Sequence, residues 1–159
     1  LFKGVAQDAF GPELPMTRGM VTTVLQRLED GQSAQAAAFA DIDHAAWYAE
    51  SVSWAYEHGI VTGNTDGTFA PNREVSRQQL VTMLYRYAGL MGMDVAPEAV
   101  SHDYADSEAI DSYAADAMAW AIDTGLVQGY PEGTLRPNAS IPREEVATVL
   151  QRLVELMLV

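Results

Sequence analysis

The chain has 159 residues, 48% of them apolar, and a formal charge of −13 from 22 acidic and 9 basic residues. That is apolar enough to fold as one compact domain or as two to three small repeats sharing a core. So acidic a surface repels phosphate backbones and anionic membranes, so no nucleic acid partner is expected. Cysteine is absent, which removes disulfides, thiolate zinc sites and cysteine nucleophiles and fits an exported protein that needs no oxidative folding. No run approaches the length of a membrane span, so no membrane insertion is expected.

The opening, Leu1-Phe2-Lys3-Gly4, has no initiator Met and no signal-peptide layout, and reads as a processed product or a fragment. Residues 1–30 look like the second half of a repeat. Gly4, Phe10, Pro12, Arg18, Leu25 and Arg27 match Gly63, Phe69, Pro71, Arg77, Leu84 and Arg86 at a constant offset of 59. Thr17 opens the helix of this half, with Met16 and Val21 placed as a hydrophobic staple.

After a linker near 29–38, a complete repeat spans 39–89. It opens with Phe39-Ala40-Asp41, and a helix is predicted over 47–58. Gly59 stands where a C′ glycine ends a helix, followed by the apolar Ile60. A turn-rich loop over 62–69 leads to a second helix. Ser76 is its N-cap, Gln79 completes a capping box, and Val75 and Leu80 form the staple. Leu80, Met83, Leu84 and Tyr87 then recur at helical spacing.

A linker near 89–101 precedes the last repeat, 101–155. Tyr104-Ala105-Asp106 opens it and a helix is predicted over 112–124, ended by Gly125. Trp54, Gly59, Gly63, Gly67, Thr68, Pro71, Asn72, Arg77, Leu84 and Arg86 all recur 66 positions on, from Trp120 to Arg152. Ile141 and Val146 repeat the staple around Pro142. The aromatics at i and i+7, Trp47 with Trp54 and Tyr113 with Trp120, are expected to form one buried stripe on each first helix. The fold class is mainly α: helix–loop–helix repeats, the first one truncated, packed together as one structural domain.

All nine basic residues fall in second halves of repeats, three to each. Arg27, Arg86 and Arg152 lie toward the C-terminal half of their helices, where a cation complements the dipole, and read as structural. Arg18, Arg77 and Arg143 stand at first helical positions, where the dipole disfavours a cation. Two readings are open: a guanidinium and exposed helix N–H groups converging on an anion, or an intramolecular salt bridge.

At these residues the sequence resembles the S-layer homology family. The resemblance rests on the aromatic-Ala-Asp opening, the Trp-Ala…Gly-(Ile/Leu)-Val-x-Gly stretch, the Gly-Thr-(Phe/Leu)-x-Pro loop and a motif commonly written Thr-Arg-Ala-Glu. That motif stands here as Thr17-Arg18-Gly19-Met20, Ser76-Arg77-Gln78-Gln79 and Pro142-Arg143-Glu144-Glu145. The resemblance implies a pseudo-threefold bundle of repeats in a bacterial cell-surface protein. It also implies non-covalent binding of secondary cell wall polysaccharide, often carrying pyruvate ketals, with the motif arginine meeting the sugar carboxylate.

The expected ligand-binding residues are Arg77, ranked first, then Arg18 and Arg143, with Ser76 and Thr17 beside them. Backbone donors at Gly63, Gly129 and Gly4 and the edges of Trp54 and Trp120 complete the set. No cofactor, metal or catalytic residue is expected. Asn64-Thr65-Asp66-Gly67 lacks the glutamate of a calcium loop, and His44, His58 and His102 show no ligand spacing. The leading reading is a non-catalytic anchor on the bacterial cell wall. Degenerate repeats serving self-assembly or protein contact form the alternative, with the incomplete first repeat as a route to a homo-oligomer. A wall-glycan hydrolase has only the abundance of acids in its favour.

Overall fold

A computed structural model describes residues 11–33, 35–96 and 104–158; Lys3, Gly4, Phe10 and His102 lie outside the described residues. Five α-helices are present among them: α1 (Arg18–Glu29), α2 (Ala49–Glu57), α3 (Arg77–Leu90), α4 (Ala115–Asp123) and α5 (Arg143–Met157). The chain divides into two compact units, Leu1–Val75 and Ser76–Val159. The cut falls between the loop and the second helix of the middle repeat. Each compact unit therefore pairs the second helix of one repeat with the first helix and loop of the next.

In the first unit α1 packs on α2, with Val21, Val24, Leu25, Val52, Trp54 and Ala55 all buried and the Thr22 and Thr23 hydroxyls hydrogen-bonded to Ser51 Oγ at 3.0 and 2.9 Å. Thr17 caps α1 by accepting from Met20 N–H at 3.2 Å. The first two helical N–H groups, of Arg18 and Gly19, donate to the carbonyls of Arg73 (2.9 Å) and Pro71 (2.8 Å). Val75 N–H returns a bond to Met16 O at 2.9 Å. A helix start is thus docked on the chain that follows the loop. Gly19 permits it, since a Cβ there would sit 3.1 Å from Pro71 O and 3.2 Å from Tyr48 Cβ.

The second unit repeats the device. Ser76 Oγ accepts from Gln79 N–H (3.2 Å) and Gln79 Oε1 accepts from Ser76 N–H (3.1 Å), the reciprocal capping box expected from sequence. Arg77 and Gln78 N–H donate to Ala139 and Pro137 carbonyls, each at 3.0 Å. Gln78, buried, also joins three segments: its amide donates to Asp111 Oδ2 and Asn138 Oδ1, and its oxygen accepts from Asp111 N–H.

The aromatic-Ala-Asp opening has an architectural role in both units. Asp41 accepts from Phe69 N–H (2.8 Å) and Ala70 N–H (2.7 Å), and Asp106 from Leu135 and Arg136 N–H (2.8 Å each). Ala70 and Arg136, at φ 59° and 52°, hold left-handed backbone without being glycine. One carboxylate spanning two successive amides fixes a turn that those residues alone would disfavour.

Each first helix ends as expected. Gly59 at φ 74° receives the chain, with Gly59 N–H on Tyr56 O (3.1 Å) and Ile60 N–H on Ala55 O (2.8 Å), a complete Schellman pair. The buried aromatic stripe is corrected. Trp54 and Trp120 are 2% exposed, but Trp47 is 59% and Tyr113 50% exposed. The helices begin only at Ala49 and Ala115, so the earlier aromatics are outside the helical register that would bury them.

Candidate functional site

A cavity of about 440 Å³ opens in the second unit. The first turns of α3, Met118 of α4, the loop from Val127 to Tyr130 and the first three turns of α5 surround it. Leu80, Val81, Met118, Leu135, Ile141 and Val149 make its wall apolar, while Arg77, Gln128, Tyr130, Glu144, Glu145 and Arg152 bring polar groups to it.

Arg77 is the charged centre. Its side chain is 10% exposed, and its Nη1 donates to Ser140 O at 2.9 Å. Nη2 donates to Glu145 Oε2 at 2.8 Å, and the Tyr130 hydroxyl donates to the same oxygen at 3.0 Å. The guanidinium carbon lies 5.0 Å from the Tyr130 ring centroid, and that of Arg136 lies 3.9 Å away. Arg136 in turn pairs with Glu132. Burial, then the bond to Glu145, raises the Tyr130 phenol above its ordinary value, so it stays a donor at neutral pH. Arg152 closes the far end by donating to Leu126 O at 3.2 Å.

The position of Glu145 follows from its helix start. In α3 the equivalent residue, Gln79, folds back to cap Ser76 N–H. The N-cap of α5 is Pro142, which has no N–H to offer. Glu145 is thereby released from capping and reaches across to Arg77.

Of the residues expected from sequence, the cavity brings together Arg77 and Gly129. Ser76 and Thr17 spend their hydroxyls on helix caps. Arg18 is buried: its Nε donates to Phe69 O at 2.8 Å and its guanidinium lies 4.7 Å from the Phe69 ring. Arg143 is buried at the start of α5, and that burial lowers the pKa of its guanidinium. Trp54 and Trp120 belong to the cores of their units, and among the described residues the Trp120 indole N–H has no hydrogen-bond partner. Gly4 is outside the described residues.

Two elements of the expected geometry change. The leading N–H groups of α1 and α3 are not available to an anion, because backbone carbonyls and cap hydroxyls already accept from them. The space over Gly63 and Gly129 is filled by aromatic rings: a Cβ would sit 2.3 Å from Phe39 Cε1 and 2.2 Å from Tyr104 Cε1. The glycines make room for the aromatic that opens each repeat.

Sequence reasoning does not reach Tyr130, Glu145 or Gln128 as site residues. Tyr130 stands at the repeat position of Asn64, so an aromatic replacing an amide beside Gly129 is the available signal. For Glu145 the signal is proline at the preceding cap.

The sequence profile of the S-layer homology domain matches residues 38–81 and 103–147. Each match runs from the aromatic-Ala-Asp opening into the second helix. An endoglucanase of Bacillus sp. (strain KSM-635) is 31% identical over 150 residues, covering 94% of this chain and 16% of the enzyme. The cellulosome-anchoring protein of Acetivibrio thermocellus is 28% identical over 158 residues, 96% of this chain and 35% of that protein. An S-layer protein of Bacillus thuringiensis subsp. finitimus is 29% identical over 136 residues, 85% of this chain and 15% of that protein. The chain thus spans well under two thirds of these relatives. Matched in both full repeats, and built of helices joined by loops with no strand among its described residues, the chain belongs to the S-layer homology family of bacterial cell-surface modules.

Proposed function

We propose that the chain is a non-catalytic anchor that holds a larger exported protein on the cell wall by binding acidic, pyruvylated wall polysaccharide. The observation that supports this reading is the second unit's cavity, in which a mostly buried guanidinium faces an apolar wall and a tyrosine. Its volume is within the range of small-ligand sites, about 300–1,000 Å³. Apolar wall suits a sugar face and Arg77 suits its carboxylate. Recognition depends on the guanidinium rather than on helix N–H groups, and it weakens as salt rises. A cellulosome-anchoring protein and an endoglucanase each carry a segment similar to this chain, at 28% and 31% identity, as expected of an attachment module joined to different cargo.

Arg77→Ala is the direct test. Co-sedimentation with pyruvylated wall polysaccharide is expected to show at least about a tenfold loss of affinity, with the helical circular dichroism retained. Unchanged binding would assign Arg77 to the fold alone. The ion pair that already engages Arg77 favours a second reading, in which the repeats serve self-assembly or protein contact. On that reading the chain sediments as an oligomer without any glycan.

A further inference from the structure

We propose that Glu145 is a built-in competitor in the second unit's cavity, occupying the place at Arg77 that the acid group of a ligand would take, and so sets the threshold for acidic ligands there. The proposal rests on the reading of this cavity as an acid-binding site.

Three observations carry it. First, one carboxylate oxygen, Glu145 Oε2, accepts from both Arg77 Nη2 (2.8 Å) and the Tyr130 hydroxyl (3.0 Å). A cation and a neutral donor converging on one oxygen is how a protein binds a carboxylate, and here the carboxylate is its own. Second, the pair lines an open cavity, and the Glu145 side chain is 39% exposed against 10% for Arg77. The acid is the displaceable partner and the arginine the fixed one. Third, the fold does not require an acid at this position. The corresponding residues are Gln79, which caps its own helix, and Met20. Glu145 is available because Pro142 leaves it nothing to cap.

A ligand carboxylate must therefore displace Glu145 while Arg77 keeps its bond to Ser140 O. Glu145 can swing toward solvent when displaced, but its charge remains near the incoming acid. A ligand joins Arg77 only if its carboxylate and sugar contacts together outweigh that internal pair. Neutral glycan faces no such competition and gains nothing from the arginine.

The test is calorimetric titration of the whole chain with the 4,6-O-(1-carboxyethylidene) ketal of methyl glucoside. Parent, Glu145→Gln, Glu145→Ala and the Glu145→Gln/Arg77→Gln pair are compared, with circular dichroism as the check on folding. Glu145→Gln keeps the shape and a hydrogen-bonding group, and is expected to bind the ketal about tenfold tighter than the parent. Glu145→Ala should gain similarly, and the double variant should lose the gain, since it runs through Arg77. Equal or weaker binding by both single variants, with the parent binding measurably, overturns the competitor role and leaves the acid-site reading standing. No binding by any form, all folded, overturns both. A gain that persists without Arg77 overturns the competitor role, since Glu145 would then act only through general repulsion.

Discussion

Asp106→Ala is expected to cost about 2–4 kcal/mol of stability, read as a lower midpoint of urea unfolding. The carboxylate accepts two charge-assisted bonds, from Leu135 and Arg136 N–H. Such bonds are worth roughly 1.5–3 kcal/mol each before allowance for their exposure. Losing them also leaves Arg136 in left-handed backbone with no side-chain support. Desolvation works to raise this carboxyl, but the two backbone amides outweigh it and hold its pKa below the ordinary value. With the folded value depressed, the contribution is fully present above the unfolded pKa and is lost as pH falls through the folded one. The parent should therefore lose more stability than Asp106→Ala between about pH 5 and about pH 3. Equal acid sensitivity of the two proteins would show that the amides do not hold this carboxylate.

Gly63→Ala is expected to be comparably damaging, by about 2–4 kcal/mol, from two additive causes. At φ 79° an alanine is strained by roughly 1–2 kcal/mol. Its Cβ would also fall 2.3 Å from Phe39 Cε1, and that ring cannot simply retreat. Phe39 packs edge-on to Tyr56 at 5.1 Å between centroids and against Phe69 at 5.6 Å. Overpacking of this kind costs about 1–3 kcal/mol. Gly59, at φ 74° with open space for 4 Å around an added Cβ, is the internal control. Gly59→Ala carries only the backbone strain and should lose about 1–2 kcal/mol. Equal losses at the two sites would mean that the ring over Gly63 yields freely.

What can be read from the sequence is what local chemistry decides. Ser76 and Gln79 cap α3 as their spacing demands, Gly59 ends α2, and Arg18, Arg77 and Arg143 open their helices. Contacts made across long stretches of chain are not legible. The N–H groups of α1 and α3 look open to an anion because their acceptors, Pro71 with Arg73 and Pro137 with Ala139, lie more than 50 residues away. Trp47 and Tyr113 fall on a buried face only if helical periodicity is extended past the true helix starts. Gly129 reads as a point of close approach, and an approach is what it permits, but by Tyr104.

The site divides along the same line. Arg77 is legible because it stands where the helix dipole disfavours a cation, a local anomaly that asks for a partner. That Glu145 and Tyr130 provide one depends on residues 68 and 53 positions away along the chain. The missing N–H of Pro142 is the local clue that Glu145 has been set free.

The proposal that this chain recognises the acid on a wall glycan is decided by calorimetry of the chain with purified wall polysaccharide, before and after chemical removal of the pyruvate ketals. Binding that is present with the ketals and abolished without them is the result expected. Equal binding to both forms, or none to either by folded protein, would contradict it.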